Sequence, residues 1–201
     1  MILLKTLLLE NNWPNVILND KHLWYHGRSI DSDVFSYDYV GGENAYDQEG
    51  PGFYFTNNFE DAKKYTNSNG IILKCKINYQ KILIKSPSSN TKVNKKIIVD
   101  LINSSPDKDY TLENFDENPK MAMIKAINAY LKYDYAHDAY QILARDFYKY
   151  NPKEYLQILS KYYDAQLTDK NIMDGKKVYH LIVYNPTLIT VIDKIKYESS
   201  I

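Results

Sequence analysis

The longest helical signal in this chain is bracketed on both sides by strands, and that order restricts the fold more than any other feature. Across residues 119–160, Met121, Met123, Ile124, Ile127, Tyr130 and Leu131 recur at the three- and four-residue spacing of one helix face. Pro152, with Asn151 as its cap, predicts a further helix reaching Lys161. Ahead of this block, short apolar runs predict strands over residues 22–26, 53–56, 71–77 and 81–84, the last two joined by a short turn. Behind it, strands are expected over 163–168, 177–184 and 188–195, with turns at Asp174-Gly175 and Asn185-Pro186. Strands, then helices, then strands is an α+β order rather than alternating βαβ units. No G-x-G-x-x-G run precedes a helix, which disfavours a Rossmann-type nucleotide site.

Composition narrows the partners. The 201 residues fit a single domain, 1–201, that carries a helical insertion at about 92–160. Lys+Arg and Asp+Glu stand at 25 each, so no net field draws the chain to nucleic acid or to an anionic membrane. Nucleic acid is therefore a disfavoured partner. One cysteine, Cys75, precludes an internal disulfide, and its place in the alternating run 71–77 makes it a half-buried strand residue rather than a nucleophile. The apolar run Leu7–Leu9 follows Lys5 and leads into Glu10 without a cleavage site, so it does not read as a signal peptide. No stretch approaches the roughly 18 apolar residues of a membrane span. A cytoplasmic protein is the expectation. Twenty tyrosines beside abundant Asn, Lys and Ile suggest an AT-rich coding genome, as in a phage, a large virus or a low-GC bacterium.

Six of the seven glycines (Gly27, Gly41, Gly42, Gly50, Gly52 and Gly70) fall between positions 27 and 70. Glycine serves where the backbone needs positive φ or must approach another group closely, which points to the N-terminal part as the ligand-facing one. Within it, Leu23-Trp24-Tyr25-His26-Gly27-Arg28 ends a strand in His-Gly. A polar, acidic loop over 31–51 then leads to Gly50-Pro51-Gly52-Phe53-Tyr54-Phe55-Thr56. Asn57 and Asn58 can cap a helix over 59–67, with Glu60 and Asp61 in the first turn where the macrodipole favours carboxylates. Tyr65 lies on that helix, eleven residues after Tyr54, and Ala62 shares its face.

This constellation resembles the nicotinamide pocket of ADP-ribosyltransferases of the diphtheria-toxin and poly(ADP-ribose) polymerase type. The resemblance spans about 22–84 and 163–195. It is nearest to phage-encoded and polymorphic-toxin members, in which a helical insertion at this place is common. It implies a split β-sandwich, two small sheets around a cleft for NAD, the substrate and only cofactor. In the family, the counterpart of His26 holds the adenosine-side ribose and the glycine matching Gly27 pairs its backbone with the carboxamide. Arg28 adjoins them as a further cofactor-binding residue. Tyr54 would pack beside the nicotinamide and Tyr65 would stack on it. No metal is implied.

The late strand departs from the pattern. The family opens it with a glutamate that bonds a ribose hydroxyl and supports the oxocarbenium-like transition state. Here that position is His180, giving a catalytic set of His26, Tyr54 and His180. Imidazole brings no negative charge, which argues against polymer formation and leaves transfer of a single ADP-ribose or hydrolysis of NAD. The missing charge could come from Asp164, Asp169, Asp174, Glu43, Asp47 or Glu49. Ala62 stands where members often carry a serine that bonds the carboxamide.

The expected activity is mono-ADP-ribosylation of a host or competitor macromolecule, most readily a protein. Two other readings are a catalytically inactive module that binds NAD, ADP-ribose or a partner, and an inhibitor that occludes its target through the helical block. Tyr130, Tyr133, Tyr135, Tyr140, Tyr148 and Tyr150 would suit an interface as well as a core. His22 and His137 show no metal-ligand spacing.

Overall fold

β1 (Trp24–Arg28) and β2 (Phe53–Thr56) lie side by side in the middle of a seven-stranded sheet, yet they share one paired position, Tyr25↔Thr56. The computed structural model describes residues 22–40, 50–66, 70–86, 91–149, 152–173 and 175–196. The N-terminal run, Gly41, Gly42, Glu43, Asp47, Glu49, Tyr150, Asn151 and Asp174 fall outside them. Five further strands complete the sheet: β3 (Ile71–Ile77), β4 (Ile82–Lys85), β5 (Ala165–Met173), β6 (Lys176–Val183) and β7 (Ile189–Lys196). The order across the sheet is β4-β5-β6-β2-β1-β3-β7.

On one side of the thin junction, β1 pairs with β3 at five positions from Trp24↔Cys75 to Arg28↔Ile71, and β3 pairs with β7. On the other, β2 pairs with β6 at four positions from Phe53↔Val183 to Thr56↔His180, followed by β5 and β4. The resemblance implies two small sheets; the described strands instead form one seven-stranded sheet, whose two strand groups meet at a single residue pair. The chain is α+β, as its order of elements implies.

Two expected hairpins are absent. β3 and β4 follow each other in sequence but lie in different strand groups, near opposite edges of the sheet, and β6 and β7 are likewise separated. Asn185 caps a 3₁₀ turn (Pro186–Leu188), accepting from the Thr187 amide at 3.0 Å, and this turn carries the chain between the groups. Local turn residues mark where a strand stops; they do not say where the next one pairs.

The helical segment has a topological role. β4 and β5 are adjacent and parallel, and parallel neighbours require a crossover. Helices α2 (Lys95–Ser104), α3 (Lys108–Leu112), α4 (Pro119–Leu131), α5 (Ala136–Tyr148) and α6 (Pro152–Leu159) are that crossover. Asn118 accepts from the amides of Lys120 and Met121, with Pro119 in the first turn where its missing N–H costs nothing. The short α3 was not apparent in the sequence, because five residues give too little periodicity.

Alternation along the strands divides the core in two. Trp24, Phe53, Phe55, Leu73, Cys75, Leu167, Leu181 and Val183 share one face, with Phe35, Tyr37 and Val40 of the following loop packed against it. Cys75 is fully buried rather than half-buried, and burial pushes its thiol up to about 12, which removes it as a nucleophile. Leu83, Ile182 and Tyr184 share the other face with the helical block, and Tyr54 packs there too. The tyrosines of that block are mostly core: Tyr130, Tyr140, Tyr148 and Tyr155 are buried, while Tyr133 and Tyr135 are 38% exposed. Among the described residues, no helix is long and apolar enough to cross a membrane.

Candidate functional site

The short helix α1 (Phe59–Lys63) follows β2 directly and lies over the β1–β2 junction. Asn58 caps it by accepting the Asp61 amide at 3.1 Å, which holds the first turn close to the strand. Its contact with β1 explains Gly27. A Cβ at that position would stand 2.1 Å from the Ala62 carbonyl oxygen and 3.2 Å from Thr66 Cγ2. The oxygen belongs to a hydrogen-bonded backbone and cannot withdraw, since Ala62 O also accepts from Tyr65 N at 3.1 Å. Gly52 has a comparable reason: with φ at +154°, its Cβ would meet Ile182 Cγ2 at 2.3 Å.

Beyond Tyr25↔Thr56, β1 no longer pairs with β2, and the sheet opens. His26 bridges the opening, its Nδ1 lying 2.6 Å from the Tyr54 carbonyl oxygen. A carbonyl only accepts, so Nδ1 carries the proton and Nε2 the lone pair. The ring is enclosed by Phe35 and Phe55, with centroids at 5.1 and 5.3 Å. Burial lowers the His26 pKa to about 4; the Tyr54 bond opposes this shift and the Arg28 charge adds to it. His26 is therefore neutral at pH 7.

On the Tyr54 face, His180 of β6 stands opposite Thr56 of β2 and Thr168 of β5. His180 Nε2 lies 2.8 Å from Asp61 Oδ2, and the two side chains are 12% and 8% exposed. Lys64 Nζ approaches the other carboxylate oxygen at 2.9 Å. Burial alone would raise the Asp61 pKa, but bonds from Lys64, His180 and Thr56 hold it below the usual carboxylate value. Tyr65, 54% exposed, sets its ring edge-on to His180 at 6.2 Å. Tyr54 donates its hydroxyl to the Gly50 carbonyl.

The six residues expected at the site separate by face. Gly27, Tyr54, Tyr65 and His180 gather around α1 and the opening. His26 and Arg28 belong to the opposite face. The Arg28 guanidinium is engaged by its own loop, donating to Ser32 O at 2.8 Å and Val34 O at 3.2 Å and lying 4.6 Å over the Phe35 ring. His26 reaches the opening only through its bond to the Tyr54 main chain.

The acids named as replacements for the absent glutamate are engaged elsewhere where they are described. Asp164 Oδ2 accepts from the amides of Gln80 and Lys81 at 2.7 and 2.8 Å, and Asp169 pairs with Lys177 at 3.1 Å. The carboxylate that does meet His180 is Asp61, whose place in the first turn of a helix the macrodipole alone accounts for in the sequence. Its spacing held a signal: Asp61 precedes Tyr65 by four residues, so both occupy one side of a helical turn.

His137 is buried with Nε2 3.0 Å from Asp138, and the His22 ring packs edge-on against Trp24 at 5.0 Å. Among the described residues, no group of three or more metal-ligating side chains comes together. No protein-family model matches the chain, and no curated protein or solved structure matches it.

Proposed function

We propose that the chain is a mono-ADP-ribosyltransferase: it binds NAD at the opening between β1 and β2, releases nicotinamide and passes ADP-ribose to a macromolecular acceptor, in the first place a protein. The observation that carries this reading is the interruption of the ladder after Tyr25↔Thr56, with Gly27, Tyr54, Tyr65 and His180 around it. An interrupted ladder exposes a backbone edge that can pair with a planar carboxamide. Tyr65 offers a half-exposed ring for stacking on an aromatic cation such as the nicotinamide of NAD. In the split-sandwich architecture this reading implies, the two strand groups flank the NAD cleft and the helical crossover covers one of them.

His26 has a supporting part, holding the Tyr54 main chain across the opening. The effector role, on a host or competitor macromolecule, rests on the resemblance to toxin and phage members.

Incubation of the purified protein with NAD, with released nicotinamide measured alongside NAD binding by calorimetry, tests the reading. Release that depends on Tyr65 supports it; absence of NAD binding overturns it. The methyl group of Ala62, fully buried where a serine would bond the carboxamide, favours a second reading as a module that binds NAD without cleaving it. Binding without release would select that alternative. Burial of Tyr130, Tyr140, Tyr148 and Tyr155 takes most of the aromatic surface away from the occlusion reading.

A further inference from the structure

A histidine where a glutamate is expected poses a charge problem. An oxocarbenium-like transition state needs a nearby anion, and the proton of the attacking acceptor needs a base. Neutral imidazole supplies the second and not the first. The surroundings of His180 contain the missing part. Asp61 is brought from a different element, 119 residues away, to place Oδ2 at 2.8 Å from Nε2.

The contacts define the protonation pattern. Asp61 receives hydrogen bonds from Lys64, His180 and Thr56, a donor set that suits a carboxylate and not a neutral acid. Because the carboxylate only accepts, the His180 proton sits on Nε2 and Nδ1 is the basic nitrogen. Asp61 is held from below by the Asn58 cap on its own amide. Around the pair stand Lys64 and Tyr65 from the turn after α1, Thr56 from β2 and Thr168 from β5; Tyr25 of β1, in register with Thr56, packs its ring on Phe59 at 5.6 Å. Lys64 is the cation of this group, and its side chain is 59% exposed, so solvent screens its opposition to the Asp61 charge.

We infer that His180 and Asp61 act as one unit in place of the absent glutamate, Asp61 supplying the negative charge and His180 taking the acceptor's proton. The inference rests on the reading of the opening as an NAD site. In the step, the bond between ribose C1′ and the pyridinium nitrogen breaks and its electron pair returns to that nitrogen, so neutral nicotinamide leaves. A lone pair of the acceptor's nucleophilic atom, or of water, forms the new bond to C1′. The proton of that atom passes to His180 Nδ1. Before the step the pair carries one net negative charge, which opposes the positive charge building at C1′. After it, Asp61 neutralises the imidazolium. Asp61 thus acts through His180 as a positioning residue, the arrangement by which a buried carboxylate orients and supports an imidazole base.

The test uses the whole chain, with nicotinamide release followed from pH 4.5 to 9 beside NAD affinity by calorimetry. Asp61→Asn is expected to keep NAD affinity within about threefold while lowering kcat about 100-fold or more. His180→Glu in the Asp61→Asn background, which restores a carboxylate at the ribose, is expected to recover at least tenfold of that loss. Because Asp61→Asn removes a buried charge and can impair folding, Lys64→Met is the second arm, at an exposed side chain. Loss of the cation favours the protonated pair, so the acid limb of the kcat profile moves upward by about half a pH unit. An Asp61→Asn enzyme with unchanged kcat, or a Lys64→Met profile that does not move, overturns the inference while nicotinamide release by the unaltered protein still stands. Absence of release from the unaltered protein overturns the reading of the site and this inference together.

Discussion

His26 donates its Nδ1–H to the Tyr54 carbonyl at 2.6 Å, beside the single pair, Tyr25↔Thr56, at which β1 meets β2. A side chain does there what a main-chain amide does elsewhere in the ladder. The consequence is a break in the ladder that a partly buried histidine spans as a strut.

Substituting His26 by Ala leaves the Tyr54 carbonyl without that donor, at a cost of about 1–3 kcal/mol. Urea unfolding at pH 7.5 measures it. A midpoint unchanged from the parent protein would show that the strut carries no load.

The same residue sets a pH window for stability. In the unfolded chain His26 takes a proton near 6.5, and in the folded one only near 4. Protons therefore favour the unfolded state as pH falls from 6.5 to 4, and stability is full above that range. At about 1.4 kcal/mol per pH unit, the loss reaches about 3 kcal/mol. Asp61 acts in the same direction but lower, since its depressed pKa confines the loss to pH below the ordinary carboxylate value. His26→Gln, which retains a donor but does not titrate, should abolish the loss between 6.5 and 4 and keep the lower one; unfolding midpoints from pH 4 to 8 for both proteins decide this.

Gly27→Ala tests the seat of α1. The new methyl would press on a backbone oxygen at 2.1 Å, and relief requires the helix to move, at about 1–3 kcal/mol or more. Gly175→Ala is the comparison: nothing lies within 4 Å of its Cβ, so the cost is the left-handed backbone at φ +74°, about 1–2 kcal/mol. Thermal melts of both, with NAD binding measured in parallel, should show binding lost in the first and retained in the second.

Tyr65→Ala separates function from stability. The ring is half in solvent, so its removal should change the melting temperature by no more than about two degrees, while nicotinamide release falls at least tenfold in kcat/KM. Equal activity in the variant would detach the ring from the site.

Within the helical crossover, Phe147→Ala should cost about 3–5 kcal/mol, as expected for a fully buried phenyl ring, and Tyr148→Phe about 1–2 kcal/mol through the unpaired Leu101 carbonyl. Tyr110→Ala, at a side chain 68% exposed, should be close to neutral. Denaturant midpoints for the three rank core against surface and would reveal an aromatic interface if the ranking reversed.

Much of the fold was legible because its signals are local. Phe53–Thr56 and Ile71–Ile77 form strands where alternation and β-branching place them, and the Asn58 cap starts a helix where its side-chain oxygen can meet a free amide. What was not legible is non-local. The turn at Asn185-Pro186 reads like the bend of a hairpin, but β7 crosses to pair with β3 instead. The crossover role of the helices follows from β4 meeting β5 in parallel, which no residue in either strand announces.

The candidate site divides the same way. By itself the sequence determined which side chains could do chemistry: a glycine beside a histidine, two tyrosines eleven residues apart, and a histidine on the late strand. Only the tertiary structure decided their company. A strand shows alternate residues to opposite faces, so register with its neighbour assigns each face, and register is set by pairing between distant segments. That pairing turned His26 and Arg28 to one side, kept Gly27, Tyr54 and His180 on the other, and brought Asp61 to the imidazole that lacked a charge.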